Sequence, residues 1–428
     1  MNIPNIYKQI ADIKEWGLRI IFYKIFIRVG YLFAIPIVIF LRLISPWVLI
    51  RIIPLIDHRI GHFAANTELY LCDRTAKINQ SKKRYFDIFY MGSLRSCNEQ
   101  LAMMWRRALR VYPTWLLYPV MKICSIIPGG NEHVIWDIFK HSDRDVHLLY
   151  ESLPCHLTFT DEEKILGEEN LRKMGIPASS RYVCLIVRDS AYLPRLSYHS
   201  YRDSDVTNYY LAAEELTKMG YFVIRMGAKV NNKMLSDNPM IIDYATNGMR
   251  TEFLDIYLGA YCEFCITTST GWDAIPMIFR RPLCFVGFSP VGHYPGFLKR
   301  SIGIFKHHVL VQENRELTLD EIFMLGVGYC LATEDYSKKA VQLVENSPEE
   351  IRDLVIEMVE RLNGTKCSTE EDQMLQEKFL ECLRNIDWPH ETALHNKQFL
   401  SRIGTSFVHY HAKLAAEKVN KQAAYNIE

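Results

Sequence analysis

No charge of one sign dominates this chain: 50 Lys and Arg stand against 49 Asp and Glu, a formal charge of +1 over 428 residues. Nothing global therefore points to nucleic acid as a partner. A disulfide framework is missing too. The 11 cysteines are odd in number and scattered through apolar stretches, which suits reduced core thiols in a cytoplasmic protein. Cys262 and Cys265 form one C-x-x-C, but no second pair and no histidine pair at zinc spacing accompanies them. No repeat of solenoid period is visible. Nor is there an apolar run that counts as a membrane span. Val29 to Leu41 is 13 residues long, bounded by Arg28 and Arg42 and containing Pro36, against the ~20 that a span requires. The run begins late and no small-residue cleavage site follows it, which argues against a signal peptide.

The charge that is present lies unevenly. Residues 1–60 hold eight basic against three acidic side chains, or +5, so the remainder carries about −4. A basic, greasy N-terminus is drawn to anionic lipid. The expectation is an amphipathic helical segment over residues 1–45, its core from about Trp16 to Ser45, lying in the plane of the cytoplasmic face of the inner membrane. The competing arrangement is a helical hairpin buried against the protein itself.

From Arg181 to Phe288 apolar strands alternate with amphipathic helices. Tyr182 to Val187 is a strand-length apolar run breaking into Arg188-Asp189-Ser190, and a helix over about Val206 to Met219 ends at Gly220. Phe222 to Met226, closed by Gly227, is a second strand, Phe264 to Thr268 a third, and Leu283 to Phe288 a fourth. This alternation predicts a parallel sheet covered on both faces. Ser269-Thr270-Gly271, between a buried strand and a helix start, is expected to offer backbone N–H groups to a phosphate; an ordinary N-cap with a turn glycine is the alternative. Pro276 should leave the following helix short or kinked.

The same strand, loop, helix logic recurs upstream. Val48 to Ile53 reads as a strand, Asp57 to His62 as a polar loop, and about Phe63 to Asp73 as a helix, with Asp87 to Met91 a second short strand. Arg59, Gly61 and the neighbouring histidines suit an acceptor or phosphate site, Gly61 allowing close backbone approach. Thr160 with Glu163, Thr318 with Glu321, and Ser347 with Glu350 have the spacing of capping boxes. The domains expected are 46–176, 177–345 and a helical tail 346–428, following the N-terminal segment.

Several motifs carry a resemblance. Tyr201-Arg202-Asp203-Ser204-Asp205 with Asn208 and Tyr209, Gly220 to Gly227, Asp255 to Leu258, and Thr268 to Gly271 followed by Ile275-Pro276 and Phe279 to Pro282 form one group. Upstream stand Arg59 to His62, Asn66 and Glu68 to Cys72, and downstream Ser401 to Phe407. Together they cover most of the chain, which resembles a family of bacterial glycosyltransferases associated with surface-polysaccharide synthesis. The resemblance implies an α/β, GT-B type fold of two Rossmann-like domains with parallel sheets facing a cleft. The nucleotide would be held mainly by the C-terminal domain.

The function expected is transfer of a sugar from a nucleotide-sugar donor to a lipid-linked or surface-polysaccharide acceptor, with no cofactor. A nucleotide-sugar epimerase and a non-catalytic sugar-nucleotide-binding partner of a membrane glycan assembly share the same architecture. Arg188, Arg202 and Arg225 are the candidate cations for the diphosphate, with Asp203, Gly227 and the Ser269-Thr270-Gly271 turn beside them. His62, Glu68 and Asp189 are the candidate bases. Asp203-Ser204-Asp205 and Asp143-Arg144-Asp145 match a metal-binding D-x-D, but Asp205 reads better as an N-cap. No metal is expected at the diphosphate, whose charge arginines and a helix terminus would meet.

Overall fold

The computed structural model describes residues 18–78, 81–135, 144–191, 194–384 and 399–425; Trp16 and Asp143 lie outside them. The chain divides into two compact units. One runs to Asp143 and takes in His156–Thr158, while the other holds Arg144–Cys155 and everything from Phe159.

The first unit begins with α1 (Leu18–Ile44) and continues through β1 (Leu49–Leu55), α2 (Ile60–Thr75), β2 (Tyr85–Met91), α3 (Glu99–Ala108) and α4 (Thr114–Cys124). The two strands are parallel, with Leu49 opposite Tyr85 and Leu55 opposite Met91. Single parallel bridges from Ile52 to Val134 and from Phe89 to Val111 extend the pairing on either side.

Helix α1 differs from the expected amphipathic segment. It runs 27 residues straight through Pro36. Its stretch Ile21–Ile44, 24 residues, is long and apolar enough to cross a membrane by length and composition, although only 22% of its most apolar window is buried. The 13-residue count failed because an α-helix carries the apolar surface past Arg28, and 24 residues rise ~36 Å against a hydrocarbon core of ~30 Å. Ala34, Val38 and Leu41 join Leu117, Val120 and Met121 in one core cluster. Gly30 lets the helices approach closely, since a Cβ there would lie 1.9 Å from the Trp115 carbonyl oxygen. The outward side is apolar rather than polar: Phe22, Leu32, Ile35, Ile39 and Leu43 are all exposed. Arg42 donates to the Gly129 carbonyl and Tyr23 to that of Gly92, fastening both ends of the helix to its own unit.

The second unit opens with α5 (Asp161–Lys173), whose capping box at Thr160 and Glu163 is formed. There follow β3 (Tyr182–Ile186), α6 (Tyr210–Lys218), β4 (Phe222–Met226), β5 (Ile241–Ile242), α7 (Glu252–Tyr261) and β6 (Cys265–Thr267). Next come α8 (Ala274–Ile278), β7 (Leu283–Phe288), β8 (Ile302–Phe305), β9 (His307–Leu310), β10 (Arg315–Glu316), α9 (Leu319–Met324), α10 (Thr333–Lys338) and β11 (Val341–Val344). The chain closes with α11 (Pro348–Asn363), α12 (Glu370–Arg384), β12 (Arg402–Ile403) and α13 (Thr405–Tyr425). The capping boxes at Thr318 and Ser347 are also formed.

Seven strands make one sheet in the order β12-β8-β7-β6-β3-β4-β5, and every pairing is parallel. Counted from β3, the first six strands have the order 3-2-1-4-5-6, that of a dinucleotide-binding sheet, with its switch point between β3 and β6. The central strands are apolar on both faces because both faces are covered: all residues of β3, β6 and β7 are buried. Strands β9, β10 and β11 form a separate antiparallel sheet.

Candidate functional site

In an open parallel sheet the strands on either side of the switch point leave a crevice at their carboxyl ends. Here that crevice lies where β3 runs into Val187 and Arg188, and β6 into Thr268 and Ser269. Both ends are tied together. The Arg188 N–H donates to Thr268 Oγ1 at 2.8 Å, and the Thr268 N–H to the Ile186 carbonyl at 3.3 Å. The next loop folds back over the same point, with the Ser204 N–H donating to the Arg188 carbonyl.

Charge collects at this crevice. Arg188 Nε lies 3.3 Å from Asp203 Oδ1, but the pair is not aligned as a hydrogen bond, and Arg202 Nε is likewise buried without a hydrogen-bond partner. Burial, then the neighbouring Arg202 charge, lower the Arg188 guanidinium, while Asp203 opposes. Burial lifts the Asp203 carboxyl against the pull of Arg188 and Lys306. Lys306, just beyond β8, is buried and donates to the Asp203 carbonyl. Its ammonium is lowered by burial, with Glu345 and Asp203 holding it charged. Arg188, Arg202 and Lys306 thus gather about Asp203, with Glu345 beside Lys306 and Asp189 near Asp203 as the opposing carboxylates, an arrangement that leaves buried guanidinium N–H groups for an incoming anion.

Lys306 and Glu345 were not anticipated. Glu345, just beyond β11, accepts from Ser204 Oγ at 2.7 Å, from the Asp205 N–H at 2.9 Å and from Asn208 Nδ2 at 2.8 Å. It thereby fixes the loop that presents Arg202 and Asp203. Gly287 makes room beside it: φ is +56° in a bulged part of β7, and a Cβ would stand 3.3 Å from Lys306 Cγ. A cation closing the apolar run Ile302 to Phe305 is the same signal that picked out Arg188, and it could have picked out Lys306 as well. Asp205 caps as expected, accepting from the Thr207 N–H.

Other expected residues have different work. The Ser269-Thr270-Gly271 turn is closed from within, for Asp273 Oδ2 accepts from Thr267 Oγ1 at 2.9 Å and from the Thr270 N–H at 3.0 Å. The Ser269 N–H is taken by Thr267 Oγ1, and the helix that follows is only five residues long with Pro276 inside it. The Asp273 carboxylate thus takes one of the backbone donors assigned to phosphate and the Thr267 hydroxyl another. Arg225 is almost wholly buried and paired with Asp243 at 3.1 Å, so it belongs to the fold and not to the crevice. At Gly227 a Cβ would lie 2.6 Å from Val230 Cγ1, so that glycine serves a tight turn. Asp189 spends both oxygens on backbone, accepting from the Ala191 N–H at 2.9 Å and the Asn231 N–H at 2.8 Å.

In the first unit, Arg59 is the exposed N-cap of α2 and gives no side-chain cap bond. Gly61 and His62 are half-buried in the helix's first turn. His62 Nδ1 lies 3.2 Å from Asn66 Oδ1. Glu68 points into the interior. It is fully buried and accepts from both the backbone N–H and the ring of His156. Asp57, the first residue of the polar loop after β1, is buried and accepts from the Ser93 N–H and the hydroxyls of Ser93 and Ser96.

One cavity of about 320 Å³ lies elsewhere, at the amino ends of β7 and β8, where Met277, Pro282 and Ser301 form part of its wall. Arg280 there donates to the carbonyls of Leu153 and Pro154 and covers the Tyr150 ring at 4.5 Å. It is a seam stitched by structural bonds, on the side of the sheet away from the crevice.

No family model matches the chain, and no curated protein does. Among solved structures it is similar to a glycosyl transferase family 9 protein from Veillonella parvula DSM 2008, with 11% identity and a TM-score of 0.40, over 74% of this chain and 97% of that one. It is also similar to a protein assigned as a UDP-N-acetylglucosamine 2-epimerase from Listeria monocytogenes, with 8% identity and a TM-score of 0.24, over 74% and 97%. At such identities and scores the reading of the chain rests on its own geometry.

Proposed function

We propose that the second unit binds a nucleotide sugar at the carboxyl ends of β3, β6 and β8, and that the protein is a glycosyltransferase acting on a glycan or lipid-linked acceptor. One observation carries the proposal: Arg188, Arg202 and Lys306 converge on Asp203 beside the switch point of a 3-2-1-4-5-6 sheet. Their positive field would hold the diphosphate in the ground state. It would also stabilise the charge that grows as the bond from anomeric carbon to phosphate oxygen breaks, without a metal at that position. The acceptor hydroxyl must lose its proton to a base in an inverting transfer. Of the three expected bases Glu68 is the one taken into the interior, fully buried and bonded to His156; His62 and Asp189 stay as the candidates to test.

The exposed apolar side of α1 supports work at a membrane surface, which we take to be the cytoplasmic face of the inner membrane. Because α4 occupies the other side of the helix and Arg42 is fastened to Gly129, α1 would lie along an anionic bilayer and not across it. A lipid-linked acceptor would then be found by a search in two dimensions.

Purified full-length protein is to be incubated with a panel of nucleotide sugars, with and without lipid-linked acceptor. Release of nucleoside diphosphate that depends on acceptor supports transfer. An isomerised nucleotide sugar, formed without acceptor, would make it an epimerase, and binding without turnover a partner protein. Absence of both binding and turnover removes the proposal.

A further inference from the structure

Glu68 and Cys72 stand four residues apart on α2 and so share one face of the helix. Both are fully buried. The chain returns to this face at His156, whose Nδ1 lies 3.2 Å from Glu68 Oε1, while Cys72 Sγ lies 3.7 Å from the same oxygen. All three ligand atoms fall within 4.8 Å of one another. Tetrahedral zinc with bonds of roughly 2.0–2.3 Å sets neighbouring ligand atoms about 3.3–3.8 Å apart. Two of the three pairs, Glu68 with His156 and Glu68 with Cys72, already sit close to those edges.

Two further features fit a metal. His156 Nε2 faces Thr75 Oγ1 at 3.0 Å, the kind of outer hydrogen bond that fixes the tautomer and orientation of a ligating imidazole. The His156 side chain is 24% exposed, which leaves an approach for the ion and for a water as fourth ligand. Once the Cys72 thiol loses its proton on binding, thiolate and carboxylate would together offer two negative charges that one divalent cation would cancel. The mixed S, N, O set favours zinc over magnesium or calcium, which take oxygen ligands.

We propose that Glu68, Cys72 and His156 bind a zinc ion, with water as fourth ligand, that pins the returning segment His156–Thr158 onto α2. The site is independent of the nucleotide-sugar proposal, and its test reads the metal and not turnover.

Full-length protein expressed in zinc-supplemented medium is to be dialysed and assayed for zinc per chain. Zinc X-ray absorption on the wild type should show one sulfur at about 2.3 Å among nitrogen and oxygen ligands at about 2.0 Å. After exchange with cobalt, a thiolate-to-cobalt charge-transfer band should appear in wild type and vanish in Cys72→Ser. Should that variant fail to fold, Cys72→Ala serves the same purpose, and the wild-type absorption spectrum decides alone if both fail. Thr75→Ala should weaken zinc by about tenfold or more with the circular dichroism unchanged. Folded protein that retains less than one zinc per chain, or a zinc shell with no sulfur or with several, overturns the site and leaves Glu68, Cys72 and His156 a metal-free hydrogen-bonded cluster.

Discussion

The backbone N–H of Arg188 donates to the side chain of Thr268 at 2.8 Å, so the two strands that diverge in connectivity at the switch point are tied where a ligand would enter. Thr268 is buried, and its Val variant leaves that N–H without an acceptor. The expected loss is about 1–3 kcal/mol, to be read from urea unfolding, together with weaker nucleoside diphosphate binding by calorimetry. Unchanged binding in a destabilised Thr268→Val protein would separate this tie from the ligand site.

The arginines should divide by function. Arg188→Ala and Arg202→Ala are expected to weaken nucleoside diphosphate binding by about tenfold or more each, the loss of one charge-assisted bond at about 1.5–3 kcal/mol, with little change in melting temperature. Arg225→Ala should instead strip Asp243 of its buried partner and cost about 3–5 kcal/mol of stability. Equal binding losses in all three, at equal stability, would contradict the assignment of Arg225 to the fold.

Among the three expected bases, His62→Ala is predicted to abolish transfer while leaving donor binding intact. Asp189→Asn should act chiefly on stability, since its oxygens hold the Ala191 and Asn231 backbone. Full turnover by His62→Ala would leave an inverting route through that residue without support.

Stability should fall on both sides of neutrality for reasons located in the second unit. Burial opposes charge on His307, but hydrogen bonds to Glu316 and Glu350 push it up to about 10 from 6.5. A raised value means its contribution is complete below pH 6.5 and drains away as pH climbs through about 10. His411 is pushed down to about 4 by burial. It stays neutral in the fold, and stability is lost as pH falls from 6.5 toward 4. Melting temperature against pH should show His307→Gln with a shallower alkaline decline than wild type, and an identical alkaline slope would remove His307 as its source.

Leu32 and Ile39 are 75% and 56% exposed on α1. Their joint replacement by Glu should leave the melting temperature nearly unchanged and lower cosedimentation with anionic vesicles by at least about tenfold. Gly30→Leu works through a different route: it collides with the Trp115 carbonyl and should unseat α1 from α4. Vesicle binding that survives the Glu pair would place the membrane contact elsewhere.

The order of strands and helices could be read from the chain because each depends on neighbours in sequence. Alternation of apolar runs such as Tyr182 to Val187 with polar breaks, glycine stops such as Gly220, and the capping pairs at Thr160, Thr318 and Ser347 are all local signals, and the structure forms them. Residue type at a strand end likewise marked Arg188, while Arg202 and Asp203 were marked by the Tyr201-Arg202-Asp203 motif. What the sequence could not decide was which partner each side chain finds across long separations. Asp243 claims Arg225, and His156 reaches Glu68 from 88 residues away. Within a single turn Asp273 takes the Thr270 N–H that a phosphate was expected to use. A buried charge takes the nearest complementary group that the packed fold supplies, and only the tertiary structure determines which group that is.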